Sequence, residues 1–367
     1  MKNTNLILID KIAGIVLIPT GMVLNFIFKL IRKVFRSEAK GILIIKLLGA
    51  GNFIPMSSQI NHYSSEIITV KSNYSTLILF NIGKHIHIID HKNIITLLLS
   101  SLKISILMLF KNYKKVINLE MESTFAKFLS LISSPETLSG LSSHNKSFFD
   151  SLIYDNYLVS PIIMNRQDLL AQLIKFRPMK NVYISEIIKS KQLAFNKKFI
   201  PFDPNSNVAI FPSCSSTDNL RRLKFQHWKT ILKNLIDNNK VAKIAVVFSS
   251  EKDIQFIDFH KFLINLDQNK ISLKITNYME FVEEVKKSDL VVSVDSQALH
   301  IAQFFKKRVV AFYGPTSPFS INLESTTYPI TNSLSCSPCT HKYQVLPCGS
   351  LAPCLNFKKT DFGIFND

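Results

Sequence analysis

Acidic residues are scarce in this chain of 367 residues: Asp and Glu total 26 against 44 Lys and Arg, a formal net charge of +18. So strong an imbalance calls for an acidic partner or surface, for which nucleic acid, anionic lipid and phosphorylated sugar all qualify. The abundance of Asn, Ile and Lys fits genome base composition equally well. No recognised nucleic-acid module and no aromatic stacking ladder is present, which leaves little room for a nucleic-acid-binding role. Only five cysteines occur, and they are not paired throughout as in secreted proteins of this size. The apolar run near the start lacks a small-residue cleavage site before its basic flank, which argues against a cleaved signal peptide. No long internal repeat or low-complexity tract appears, so the chain is no solenoid and not a disordered one. Hydrophobic residues at 47% suffice for full cores, and the length suits two ordinary domains plus a tail.

The first forty residues form a segment of their own. Ile12 to Phe28 is apolar but interrupted by Gly14, Pro19, Thr20, Gly21 and Asn25, just short of a comfortable membrane span. Lys11, Gly14, Gly21, Asn25, Lys29, Arg32 and Arg36 recur at steps that place them on one helical face, a stripe spoiled only by Ile18. The pattern favours an amphipathic helix in the membrane interface, with the basic residues reaching anionic head groups, over a spanning anchor or a helix docked on the protein. The basic residues outnumber Asp10 and Glu38 and most of them follow the apolar run, so the body of the chain is expected on the cytoplasmic side.

From Gly41 the pattern is that of an α/β protein. Gly41 to Lys46 reads as a buried strand running into the turn Leu47-Leu-Gly49-Ala50-Gly51-Asn52, with a helix from Pro55. A loose Gly-x-Gly is weak evidence for nucleotide binding. Ser75 to Phe80, His85 to Asp90 and Val116 to Glu122 read as strands, the last presenting Glu120 and Glu122 on one side at period two. Leu97 to Phe110 reads as a helix with a very apolar face. A linker is expected around Phe199 to Ser206, where two prolines break the pattern. Beyond it, Asn207 to Phe211 and Lys243 to Phe248 read as buried strands, and Leu273 to Asn277 as a strand followed by a helix over Met279 to Val285. Arg221, Arg222 and Lys224 precede His227-Trp228; arginine can grip phosphate oxygens bidentately, although a solvated basic loop has the same composition.

The most specific stretch is Asp289 to Pro318. A β-branched strand ends on Asp295, Ser296 stands at a helix N-cap, a helix continues through His300, and the strand Arg308 to Tyr313 closes on Gly314-Pro315-Thr316. Polar groups at the carboxyl ends of adjacent parallel strands are where open α/β sheets bind ligands, and a helix N-terminus beside them suits a phosphate.

Type, spacing and order over these thirty residues resemble glycosyltransferase family 9, the heptosyltransferases of lipopolysaccharide assembly. The resemblance runs weakly from Gly41 and ends near Cys354. It implies two Rossmann-like doubly wound domains facing across a cleft, the B-type glycosyltransferase architecture, behind an N-terminal membrane-associating helix. The expected organisation is a helix over 1–40, an acceptor-side domain over 41–198 and a nucleotide-sugar-binding domain over 207–354. The implied reaction moves a heptose or related sugar, with inversion, from a nucleotide donor such as an ADP-sugar to a lipid-linked saccharide at the cytoplasmic face of the inner membrane. The partners are then nucleotide sugar, lipid-linked acceptor and anionic membrane, not nucleic acid, and no cofactor is required. Donor contacts fall to Asp295, Ser296, Gln297, His300, Arg221, Arg222, Gly314 and Thr316.

Two departures from the family pattern bear on chemistry. Gln297 replaces the usual Gly, crowding the turn with a side chain. Asn52 replaces the Asp thought to act as base on the acceptor side, beside Gly49 and Gly51, and an amide cannot take that proton. Either another carboxylate serves, with Glu120 preferred, or the step needs little base assistance, or the chain is an inactive nucleotide-sugar-binding protein of the same fold. Finally, Cys336, Cys339, Cys348 and Cys354 cluster in a pattern compatible with zinc, with two disulfides or with free thiols.

Overall fold

The computed structural model describes residues 3–34, 38–121, 123–142, 148–159, 166–175, 202–214, 219–318, 326–332, 334, 336–339, 348–349 and 351–365. Glu122, Arg36 and part of the expected linker lie outside them, as does the side chain of Lys11. The chain divides into two compact units, Met1–Met179 and Lys180–Asp367.

The first unit runs α1 (Asn3–Val34), β1 (Ile42–Ile45), α2 (Phe53–His62), β2 (Glu66–Val70), α3 (Tyr74–Leu79), β3 (His85–Ile89), α4 (Ile94–Phe110), β4 (Lys115–Asn118), α5 (Thr124–Ile132), β5 (Thr137–Ser142), α6 (Phe148–Ile153), β6 (Asn156–Val159) and α7 (Arg166–Lys175). Its strands pair in parallel in the order β3-β2-β1-β4-β5-β6. The short strands carry Ile, Leu and Val on both faces because helices cover both, and Leu43, Ile44 and Ile45 have no exposed surface.

The second unit runs β7 (Ser206–Phe211), α8 (Phe225–Asp237), β8 (Val241–Phe248), α9 (Phe256–Leu263), β9 (Ile271–Ile275), α10 (Tyr278–Lys287), β10 (Leu290–Val294), α11 (Gln297–Phe304), β11 (Arg308–Tyr313) and β12 (Thr327–Thr331). Its parallel order is β12-β11-β10-β7-β8-β9. Numbered within each unit, both sheets therefore read 3-2-1-4-5-6 or its mirror in strand number, the pattern of doubly wound nucleotide-binding folds. Trp228, Phe248, Phe259 and Phe312 fill one side of the second core, and the C-terminal segment through Phe365 packs there too.

Three sequence expectations change. Ser75 to Phe80 is helical, not a strand: Asn73, Leu77 and Phe80 are buried at helical spacing, while Ile78, which alternation would bury, is exposed. The strand expected to run on past Glu120 stops at Asn118, so Glu120 lies in the segment just beyond it. In α1 four members of the stripe of small and polar residues, Gly14, Gly21, Asn25 and Arg32, face the protein, while Lys29 is exposed. A Cβ on Gly14 would sit 2.7 Å from Thr124, one on Gly21 3.1 Å from Phe128 and Leu131, and Ser134 Oγ donates to Asn25 O at 3.2 Å. Arg32 donates to the carbonyls of Ser133, Ser134, Leu109 and Lys111, at the ends of α5 and α4. Ile18, out of place on a polar stripe, is a core residue at 5% exposure. The window Gly14–Val34 is also long and apolar enough to cross a membrane.

Candidate active site

A doubly wound sheet opens a crevice where the strand order reverses, between its first and fourth strands. Here that point lies at the carboxyl ends of β1 and β4 in one unit and of β7 and β10 in the other. The expected site residues fall at these two places.

In the first unit, β1 leads through Lys46 into the glycine turn. Gly49 adopts φ +80°, and a Cβ there would come within 2.6 Å of Asn52 Nδ2, so a side chain is both strained and obstructed. Asn52 N donates back to Gly49 O at 3.0 Å and the helix α2 follows. Glu120, just past the end of β4, holds this turn from below. Its Oε1 accepts from Lys46 Nζ (3.0 Å), Leu47 N (2.8 Å) and Leu48 N (2.9 Å). Two residues absent from the sequence reading complete the support. Asn73 Nδ2 donates to Leu47 O at 2.9 Å, and Asn118 accepts from Glu120 N while donating to Tyr154 Oη at 2.8 Å. Each is a buried Asn at or just beyond the end of a strand, where an apolar residue would be ordinary.

In the second unit, Asp295 follows β10 at 8% exposure. Arg221 Nη1 donates to Asp295 O at 2.8 Å and lies 3.5 Å from its Oδ2. Arg222 points elsewhere. It donates to both oxygens of Asp253 at 3.0 and 2.8 Å, and Ser213 Oγ donates to the same carboxylate at 2.9 Å. This nearly buried pair ties the loop after β7 to the loop after β8. Ser296 is the N-cap of α11, but its hydroxyl pairs with Ser293 Oγ at 2.9 Å and leaves the first amides of the helix without a side-chain cap. Gln297 Nε2 donates to Tyr278 Oη at 2.7 Å, anchoring the residue that replaces glycine to α10. His300 is buried one turn further on.

Two hydroxyls in this region are buried and have no hydrogen-bond partner among the described residues: Tyr313 Oη and Thr316 Oγ1. Burial, and then the charge of Asp295, push the Tyr313 phenol well above its ordinary range, so it stays a neutral donor. Buried polar atoms are ordinarily satisfied, so these two hydroxyls, at and just after the end of β11, stand out. The Gly314-Pro315 turn is braced from outside by Ser337 Oγ, which donates to Gly314 O, and by Cys339 N, which donates to Pro315 O at 2.9 Å.

The four clustered cysteines are thiols, with Cys339 and Cys354 buried. Burial, and then the nearness of Cys339, push the Cys354 thiol up to about 11. Among the described residues no group of three or more His, Cys, Asp or Glu side chains is placed to hold a metal. A cavity of about 410 Å³ lined by Lys243, Lys270 and Lys287 lies towards the amino ends of β7, β8 and β9. That is the opposite end of the sheet from the crevice, so it is no part of this site.

The family model for glycosyltransferase family 9 (heptosyltransferase) matches residues 108–349. The chain belongs to that family. The matched stretch takes in Glu120, Arg221, Asp295 and the Gly314 turn but neither α1 nor the Asn52 turn. Among solved structures the chain resembles a family 9 glycosyltransferase from Veillonella parvula, with a TM-score of 0.56 at 12% identity, covering 80% of this chain and 85% of that one. It also resembles the E. coli heptosyltransferase WaaC with ADP (0.53, 12% identity, 78% and 92% covered). E. coli ADP-heptose LPS heptosyltransferase II is similar to it at 0.54 and 14% identity, over 80% of this chain and 91% of that one. Likeness at such identities establishes the fold: two Rossmann-like units as in these heptosyltransferases. No curated protein sequence matches the chain.

Proposed function

We propose that this family 9 glycosyltransferase moves a heptose or related sugar from a nucleotide donor, with ADP as the nucleotide, to a lipid-linked saccharide, inverting the anomeric carbon. The observation that carries the reading is the pair of buried hydroxyls with no hydrogen-bond partner among the described residues, Tyr313 Oη and Thr316 Oγ1, at and just after the carboxyl end of β11, the neighbour of β10. The donor diphosphate sits on the α11 N-terminus, beside Ser296 and Arg221, and its developing negative charge is met by fixed dipoles and a guanidinium. Asp295, held by Arg221, takes donor sugar hydroxyls, and Thr316 and the Gly314 turn line the same place. Gln297 and His300 border the diphosphate. Arg222 contributes by fixing the loop through Asp253.

On the acceptor side the sugar hydroxyl attacks the anomeric carbon as the bond to the diphosphate breaks, and its proton passes to a carboxylate. Glu120 Oε2 is the base in this reading, because Oε1 is occupied by the turn and Asn52 has no basicity to offer. Asn52 hydrogen-bonds the acceptor. The reaction takes place at the cytoplasmic face of the inner membrane, where an anionic surface meets the basic first unit.

A second reading, donor binding without turnover, is favoured by Asn52 and by the commitment of Glu120 Oε1. One pair of measurements tests both. The purified protein should be stabilised against heat by ADP and ADP-sugars more than by UDP, and should release ADP from an ADP-sugar when a lipid-linked acceptor is added. Stabilisation with no ADP release from any acceptor supports the second reading; no stabilisation by any nucleotide overturns both.

A further inference from the structure

We propose that α1 and α4 together form one lipid-facing surface, on which the first unit lies in the plane of an anionic membrane with α1 alongside α5 and not across the bilayer. This rests on the membrane reading above and specifies its geometry. Helix α1 is inside-out for a water-soluble protein. Gly14, Ile18, Gly21, Asn25 and Arg32, the seam against α5, include its small and polar positions, whereas Val16, Val23, Phe26, Leu30 and Val34 point outward and are exposed. The exposed Thr20 hydroxyl among them is already satisfied by Val16 O at 2.8 Å. A face of this kind is stable where its surroundings are apolar.

Helix α4 repeats the pattern. Ile104 and Met108 are in the core, while Ile95, Leu98, Leu99, Leu102, Ile106 and Phe110 are exposed along the other side. More than half of the exposed large apolar side chains among the described residues lie on these two helices. Arg32 joins them, since its guanidinium reaches from α1 to the final carbonyls of both α4 and α5.

Charge selects lipid over a second copy of the chain. Neither 11–37 nor 91–119 contains an acidic residue, and Lys29, Lys33, Lys103 and Lys114 are exposed beside the apolar faces. Two copies meeting through these faces would oppose like charges, whereas anionic head groups neutralise them and the lysine stems can snorkel. Packing excludes a span. Contacts from Gly14–Thr124 to Asn25–Ser134 run α1 parallel to α5, which belongs to the sheet layer of an open α/β unit, and exposed loops and sheet edges of that kind do not enter hydrocarbon.

Deletion of α1 would strip α5 bare, so the test uses point variants of the full chain. Flotation with vesicles of phosphatidylethanolamine and phosphatidylglycerol is compared for wild type, Val23→Ser/Phe26→Ser and Leu98→Ser/Leu102→Ser, with circular dichroism melting to show that each folds. Wild type should float, and each double variant should partition at least about tenfold less, as expected for losing two large apolar contacts with lipid. Wild-type flotation matched by the α4 variant would overturn the two-helix surface while leaving membrane association standing. No flotation of wild type on any anionic vesicle would overturn both. In the bound state, Asn5→Cys should be alkylated by an impermeant maleimide from outside sealed vesicles; protection of that thiol would show that α1 crosses and overturn the in-plane geometry.

Discussion

The two crevices are built on the same kind of sheet and solved in opposite ways. At β1/β4 the protein satisfies itself: Glu120 takes two backbone amides and a lysine, and Asn73 and Asn118 account for further polar groups around the turn. Around Asp295, at the ends of β10 and β11, Tyr313 Oη and Thr316 Oγ1 have no hydrogen-bond partner among the described residues. The topology thus supplies a place for a ligand in each unit, while the hydrogen-bond inventory says which of the two is prepared to hold something strongly polar. In the proposed reading the donor diphosphate takes the second and the acceptor hydroxyl, which asks for little, the first.

The largest effect expected from breaking this contrast is on turnover. Asp295→Ala should lower kcat/KM for sugar transfer about a hundredfold or more, the scale for losing a charged contact made in the transition state, with little change in melting temperature. An unchanged rate would remove the donor crevice from the chemistry. Glu120→Ala should act first on stability. It strands Lys46, whose side chain is only 10% exposed, and frees two amides, at a cost of about 3 kcal/mol. A melting point equal to wild type would mean that the first crevice is not self-supported. Tyr313→Phe separates the two solutions most directly. Removing an unsatisfied buried hydroxyl should raise the melting point of the unliganded protein, by about 1 kcal/mol of stability, while weakening nucleotide-sugar binding severalfold. Weaker binding without stabilisation would argue that the hydroxyl already has a partner.

The smallest effect concerns acid stability and lies away from both crevices. Glu66, at the amino end of β2, would be raised by burial, but hydrogen bonds from His87, Lys111 and Tyr113 outweigh this and hold its carboxyl at about 2, below its ordinary 4.5. A depressed carboxyl adds stability that is fully present above the unfolded value and is lost as pH falls towards the folded one. Glu66→Gln should therefore flatten the dependence of stability on pH between about 4.5 and 2, without changing donor binding. An acid limb of unchanged slope in urea titrations would reject that assignment.

Much of this was legible in the residues. Strands such as Arg308 to Tyr313 show a buried β-branched run bounded by turn formers, and the Asp295 to Thr316 motif carries type, spacing and order together. The segment Ser75 to Phe80 was ambiguous because six apolar-rich residues fit either period, and only burial of Asn73, Leu77 and Phe80 with Ile78 outside resolves it. Asn73, Asn118 and Tyr313 gave no signal, since a single polar residue beside an apolar strand is commonplace until its partners, or their lack, can be seen.

By itself, then, the sequence determined the α/β class, the family motif at the second crevice, the basic charge and the apolar run of α1. Those features are local or summed over the chain, and periodicity and composition record them. Tertiary structure alone decided which way α1 faces, that Arg222 pairs with Asp253, and that Glu120 serves a turn contributed by a strand more than seventy residues away. Such facts depend on contacts between distant segments, and a helical stripe looks the same whether its polar side meets water or, as here, meets the protein.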